Sequence, residues 1–273
     1  MQLNYSIFYK GQIIDEKKFQ YLLTNQTIKV YYILHGLFGR GKNWHSVTKP
    51  ISRNCEHIFL TIDLRNHGEN MPVNEISYDL MVSDLFELTK QLKLKTISLI
   101  GHSMGGKASM LFALNFPDII EHLIVVDIAP IKYRSDNNIE IIDHLLEIDI
   151  NNIQSRSDAD IVLSKTIKDQ SLRLFLLQNL KKTNHGYVWS SNLNSFKEGI
   201  ENLRDFPYFG SQQYLKKTIC IYGELSGYIT EENKKVFQNY FPNIKFEKIQ
   251  NTGHWLHAEN PSYFVETICK YLI

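Results

Sequence analysis

The sequence predicts an α/β protein, a mostly parallel, twisted sheet flanked by helices. Two observations predict it. Short apolar runs alternate with segments of helical periodicity along most of the chain, the pattern of successive strand–helix–strand units. One of those runs, Ile97–Ile100, leads straight into Gly101-His102-Ser103-Met104-Gly105, and a helical pattern begins at once. With 273 residues, at about 100–200 per domain, the chain has room for one large domain of this kind or two small ones.

The elements follow in order. A strand around Tyr5–Tyr9 comes first, then apolar runs at Ile28–Leu34, His57–Ile62, Thr96–Ile100, His122–Val126, Thr218–Tyr222 and Lys245–Ile249. Leu80, Met81, Leu85, Leu88 and Leu92 recur at helical spacing. Met104–Phe116 reads as a second helix, stopped by Pro117. Glu231–Phe241 and Ser262–Leu272 are two more, the last opened by Asn260-Pro261. From about residue 131 to 210 the alternation stops. Helical patterns at Ile139–Leu146, Ala159–Ile167 and Leu172–Leu180 stand there, with no convincing buried strand before Thr218. The expected organisation is a core of residues 1–130 and 211–273, with residues 131–210 as a helical lid over the C-terminal edge of the sheet. Trp189 and the Arg173–Leu180 run are expected to pack that lid on the core.

Composition removes several classes of function. Aromatics at 12% and charged residues at 22% describe an ordinary globular chain rather than a disordered one. A formal net charge of +1 lacks the basic footprint of a non-specific nucleic-acid binder. No apolar run approaches the roughly 18 residues of a membrane span, and Met1-Gln2-Leu3-Asn4-Tyr5 has no basic n-region or apolar h-region. Cys55, Cys220 and Cys269 are odd in number and widely spaced, which suits a reducing, cytoplasmic setting. They never pair at ligand spacing, and no His-Glu-x-x-His occurs, so no metal is expected. Gly101–Gly106 lacks the spacing of a dinucleotide fingerprint. No cofactor is expected.

The chemistry is concentrated in three segments. In Gly101-His102-Ser103-Met104-Gly105 a strand, a sharp turn and a helix would present the Ser103 hydroxyl at the sheet edge, the context a nucleophile needs. The helix start places the Met104 N–H and a positive dipole end near developing negative charge. His35-Gly36-Leu37-Phe38-Gly39 follows an apolar strand and can turn a second N–H toward the serine, that of Leu37 rather than its neighbour Phe38. Each such donor contributes about 2.7–4 kcal/mol to an oxyanion-forming transition state. The base is His254, in Gly253-His254-Trp255-Leu256-His257 after the last strand, with His257 as the competitor. Phe38, His102 and Trp255 are the expected pocket residues.

These runs, with Asp63-Leu64-Arg65-Asn66-His67-Gly68 and Asp127-Ile128-Ala129-Pro130, occur in the order found in the α/β-hydrolase superfamily, which the chain resembles along nearly its whole length. Within it the sequence is similar to small bacterial esterases of the YbfF type and to the abhydrolase domain-containing protein 11 group. The resemblance implies an α/β-hydrolase fold with a helical lid inserted after strand six, here the run ending at Val126. One position departs from the common pattern. The superfamily's usual acid, in a Gly-x-x-Asp turn after strand seven, is replaced in Gly223-Glu224-Leu225-Ser226 by a serine. The resemblance to the YbfF-type group implies an acid after strand six, which falls on Asp127. Asp127 also ends an apolar run at the edge where sites of such sheets form. Glu224 is the alternative. The Asp63–Gly68 loop reads as a self-bonded loop held by Asp63 and Arg65, or as a shaper of the pocket, and Lys107 as a residue with a structural partner.

The expected function is a serine hydrolase of short- to medium-chain carboxylic esters or acyl thioesters, working through an acyl-serine intermediate on a small-molecule substrate. The rivals are serine-dependent perhydrolase or carbon–carbon bond hydrolase chemistry, and a hydrolase fold kept as a slow or inert ligand receptor.

Overall fold

A computed structural model describes residues 1–25, 27–133, 137–208 and 210–272. The strands are β1 (Tyr5–Tyr9), β2 (Gln12–Ile14), β3 (Val30–Leu34), β4 (Ile58–Ile62), β5 (Ile97–His102), β6 (Ile120–Val126), β7 (Leu180–Thr183), β8 (Gly186–Trp189), β9 (Thr218–Gly223) and β10 (Ile244–Ile249). The helices are α1 (Glu16–Leu22), α2 (His45–Arg53), α3 (Tyr78–Gln91), α4 (Met104–Asn115), α5 (Asn138–Leu146), α6 (Arg156–Ser164), α7 (Gln170–Leu177), α8 (Leu193–Arg204), α9 (Glu231–Tyr240), α10 (Leu256–Glu259) and α11 (Pro261–Cys269).

Eight strands form one sheet in the order β10-β9-β6-β5-β3-β4-β1-β2. β10, β9, β6, β5, β3 and β4 are parallel, and β1 and β2 close one edge antiparallel. The chain therefore builds the mostly parallel sheet its apolar runs predict. Every residue of β3 and β4 is buried, which is why those segments carry no polar alternation. Tyr31 and Ile33 of β3 face a core layer with Trp44, Val47 and Ile51 on the α2 side and Phe264 and Ile268 of α11. Tyr32 and Leu34 face the larger layer, with Met81 and Leu85 of α3 and Leu111 and Phe112 of α4. Helix starts are capped as their sequences suggest: Ser77 accepts from Leu80 N–H, and Asn260 accepts from Tyr263 N–H ahead of Pro261.

Residues 131–210 depart from the expected all-helical reading. The helix expected over Leu172–Leu180 ends at Leu177, and Leu180 instead opens a hairpin of β7 and β8, paired from Leu180↔Trp189 to Thr183↔Gly186. Only Leu180 of its eight paired residues is buried, so no strand signal reaches the sequence. α8 is a further element beyond the expected helices, with Leu193, Phe196, Ile200 and Leu203 buried at helical spacing behind the Asn192 cap. Of the expected insertion, residues 134–136 and 209 lie outside the described residues. Trp189 is half-buried against the main core cluster.

The parallel strands all run toward one edge of the sheet. The loops after β3, β4, β5, β6, β9 and β10 gather there, and all three chemical segments lie on them. No helix among the described residues is long and apolar enough to cross a membrane.

Candidate active site

Ser103 stands between β5 and α4 with φ +52° and ψ −117°, a conformation that costs an L-residue of order 1–3 kcal/mol and persists only under constraint. The constraints are visible. Ser103 N–H donates to the Val126 carbonyl at 3.0 Å, and Gly105 N–H donates to the His35 carbonyl at 3.1 Å. A Cβ on Gly105 would lie 2.6 Å from the carbonyl oxygens of both Leu34 and His35. Those atoms are backbone and cannot swing away. Gly105→Ala should therefore lower stability by about 3 kcal/mol, the upper range for overpacking, as read by urea denaturation. A change below about 0.5 kcal/mol would show that the elbow is not sterically closed.

Asp127, at the end of β6, also has a left-handed backbone, with φ +52°, and is fully buried. Three donors converge on its carboxylate. Gly223 N–H reaches Oδ1 at 3.2 Å, while Ser226 Oγ–H and His254 Nδ1–H both reach Oδ2, at 2.5 and 2.7 Å. β6 and β9 are neighbours in the sheet, which is what brings Asp127 and Ser226 together. The ring of Tyr228 stacks on His254 at 4.1 Å with an interplanar angle of 22°. The backbone carbonyl of His254 accepts from His102 Nε2 at 2.9 Å, so the residue beside Ser103 braces the loop that carries His254. Burial, reinforced by the neighbouring histidines, holds His102 well below the usual histidine range and keeps it neutral.

The two competitors have other neighbours, though His257 lines the same cavity as Ser103. Glu224 accepts from Asn251 N–H and from Lys248 Nζ, each at 3.1 Å, and those contacts pull its carboxyl below the usual range. His257 stacks face to face on Trp44 at 4.4 Å, and burial together with the nearby His254 pushes it down to about 3.

The loop after β3 meets the elbow at Gly36, where a Cβ would sit 3.0 Å from His102 Nδ1 and 3.3 Å from Ser103 Cβ. His35 donates from Nδ1 to the Gly36 carbonyl and accepts Leu64 N–H at Nε2. His67 repeats the pattern one loop away, donating to the Arg65 carbonyl at 2.7 Å and accepting Phe38 N–H at 3.2 Å. Both rings are fully enclosed, and burial drives both below the ordinary histidine range, as the neutral tautomers require. Of the two amides weighed as oxyanion donors, that of Phe38 is thus engaged by His67. Leu37 lines the cavity beside Ser103, and Met104 opens α4 on its other side.

That role for His67 was not legible in the sequence, where its loop read chiefly as a self-bonded one. Asp63 and Arg65 do hold the loop, but through partners outside it: Asp63 accepts Gly41 N–H at 2.7 Å and Glu69 N–H at 2.9 Å, while Arg65 pairs with Asp84 at 2.8 Å. Lys107 is buried and donates to the carbonyls of Arg204 and Asp205 at 2.6 and 3.0 Å.

Ser103 and His254 open on one cavity of about 550 Å³. Leu37, Phe38, His102 and Trp255 line it, together with Tyr133, Asn138, Ile141, Leu172 and Phe175 from the stretch between β6 and β9. Among the described residues no group of three or more His, Cys, Asp or Glu side chains is placed to hold a metal ion.

Comparison with known proteins gives a consistent picture. The model of the alpha/beta hydrolase fold matches residues 31–261. The sn-1-specific diacylglycerol lipase ABHD11 of Danio rerio is 38% identical over 244 residues, spanning 88% of this chain and 77% of that protein. The protein of the same name from Mus musculus is 33% identical over 251 residues, 90% of this chain and 81% of its own. Among solved structures, a marine microorganism esterase superposes with a TM-score of 0.89 at 32% identity, with both chains covered completely.

Proposed function

The chain belongs to the α/β-hydrolase family, and we propose that it hydrolyses short- to medium-chain carboxylic esters or acyl thioesters through an acyl-serine intermediate. One observation carries the proposal. The 2.7 Å contact joins His254 Nδ1 to Asp127, while His254 and Ser103 face the same cavity.

On this reading Ser103 Oγ attacks the acyl carbon and its proton passes to His254 Nε2. Asp127, bonded at Nδ1, fixes the tautomer and stabilises the imidazolium. The carbonyl oxygen, now negative, takes hydrogen bonds from the N–H groups of Leu37 and Met104. Collapse breaks the bond to the leaving alcohol or thiol, which receives the proton from His254. Water then attacks the acyl-serine with His254 again as base, releasing the acid and restoring the hydroxyl. Ser226 donates to the oxygen of Asp127 that also binds His254, and so holds that carboxylate in one rotamer. Phe38, His102 and Trp255 shape the site.

We take residues 131–210 as a lid, because Tyr133, Asn138, Ile141, Leu172 and Phe175 of that range line the cavity that Ser103 opens on. A cavity of about 550 Å³ suits a small-molecule substrate. Turnover of p-nitrophenyl esters and acyl-CoA thioesters of increasing acyl length tests this, and should peak at short to medium chains. The relatives named diacylglycerol lipases favour a second reading, a longer-chain glycerol ester. Turnover that climbs with chain length and needs an oil–water interface would establish that reading and refute the first. Absence of all turnover would favour a ligand receptor. The three free cysteines fit a cytoplasmic setting.

A further inference from the structure

We infer that Asn179, in the 131–210 insertion, is a positioning residue for the oxyanion hole, an inference that rests on the ester-hydrolase reading above. Phe38 has φ +61°, a left-handed backbone that a bulky L-residue holds only when its surroundings insist. Its two peptide groups are gripped from opposite directions. The N–H donates to His67 Nε2 at 3.2 Å. The carbonyl accepts from Asn179 Nδ2 at 2.8 Å, with a longer contact from Gln178 Nε2 at 3.4 Å.

Asn179 is built to hold that carbonyl. It is 4% exposed, and the same Nδ2 also reaches the Leu176 carbonyl at 3.2 Å, so two acceptors fix which end of the amide faces Phe38. Its main chain is tied on both sides, N–H to Leu176 and carbonyl to Ser190 N–H at 2.8 Å. Gln178 Oε1 accepts from Asn43 Nδ2 at 2.7 Å and Arg40 Nε at 3.2 Å, both in the segment that follows Phe38. The loop carrying His67 is bound to the same insertion, since the Asn66 side chain makes two bonds to the Asn192 backbone, at 2.8 and 3.0 Å. Three segments far apart in sequence thus form one hydrogen-bonded frame around Phe38.

The Leu37 amide is one residue upstream of the gripped peptide. An oxyanion donor acts only when it lies about 2.7–3.1 Å from the developing charge, and misplacement by about 1 Å can cost 10²-fold. Without the Asn179 contact, Phe38 can relax from its left-handed conformation and carry Leu37 with it. Asn179 is not among the residues lining the cavity, so contacts with the ground-state substrate stay as they are. The loss therefore falls on the transition state.

The test uses the full chain, a short p-nitrophenyl ester, and active-site titration with a fluorophosphonate so that rates are per competent molecule. Asn179→Ala should lower kcat by about tenfold to a hundredfold while KM stays within about twofold, and should weaken a trifluoromethyl ketone analogue in proportion. A purely structural residue would reduce the titratable fraction or Tm and leave kcat per site unchanged. That result, or a loss confined to KM, overturns the inference. Should Asn179→Ala not fold, Gln178→Ala, at a half-buried position, carries the test. It should show the same signature at about threefold, and an unchanged kcat there is equally fatal. Absence of Ser103-dependent turnover in the wild type would bring down the hydrolase reading and this inference together. Normal wild-type turnover with unaffected variants removes the inference alone.

Discussion

Ser103→Ala is expected to abolish ester turnover and fluorophosphonate labelling while leaving the protein folded. The residue sits on a turn with φ +52°, backed by the Val126 carbonyl and by the first turn of α4. Alanine has the same backbone restrictions as serine at that φ, so strain is unchanged and only the nucleophilic oxygen is lost. Losing a nucleophile that works as one unit with its base costs about 10⁶-fold in kcat in the serine-protease template, since only binding and the oxyanion donors are left. The measurement is steady-state turnover beside probe labelling, with thermal denaturation as the folding control. Labelling that survives the substitution would take Ser103 out of the role. Equal turnover by both proteins would place the chemistry at another residue.

The second large effect concerns the acid. Asp127→Asn should lower kcat by about 10⁴-fold, the loss seen when an orienting aspartate becomes an amide of the same shape. His254 Nδ1–H and the Ser226 hydroxyl both donate to Oδ2, and Gly223 N–H donates to Oδ1. An asparagine offers a single acceptor oxygen, so its NH₂ must face at least one of those donors. With the NH₂ toward Gly223, His254 keeps an acceptor but loses the negative charge that stabilises its imidazolium; with the NH₂ at the other place, His254 loses its partner or turns to the unproductive tautomer. Glu224→Gln should cost about tenfold at most, because that carboxylate answers to Lys248 and the Asn251 amide. A crippled Glu224→Gln beside an active Asp127→Asn would reverse the assignment.

What could be read in the sequence follows how local each feature is. β3, β4 and β5 are buried from end to end and announce themselves as apolar runs. The serine turn is written in five consecutive residues. The hairpin of β7 and β8 has one buried residue among eight, so no pattern betrays it. β2 is three residues long and follows a turn of two left-handed residues, Lys10 and Gly11, too brief for any periodicity. α8 is different, since its Asn192 cap and apolar spacing were there to be read. The choice between Asp127 and Glu224 was open because β6 and β9 end side by side, and a one-dimensional string does not say which carboxylate turns inward. Phe38 meets His67 across 29 positions and Asn179 across 141, and no motif spans such separations.

The shared oxygen of Asp127 has a bearing on how such a site can change over generations. A hydroxyl at 226 and a carboxylate at 127 meet at one atom, Oδ2. In the common arrangement of this superfamily the acid stands at the position of Ser226. A lineage exchanging the two has two single-step routes. Losing the first acid before gaining the second strands the imidazole and forfeits about four orders of magnitude in rate. Gaining the second first puts two carboxylates in contact, which cannot both ionise and so share a proton, leaving one negative charge for His254. On the proposed assignment of Asp127, that intermediate keeps a charged partner for His254. On that assignment the route through two acids costs less than the route through none, and relatives bearing carboxylates at both positions are the forms such an exchange would leave behind.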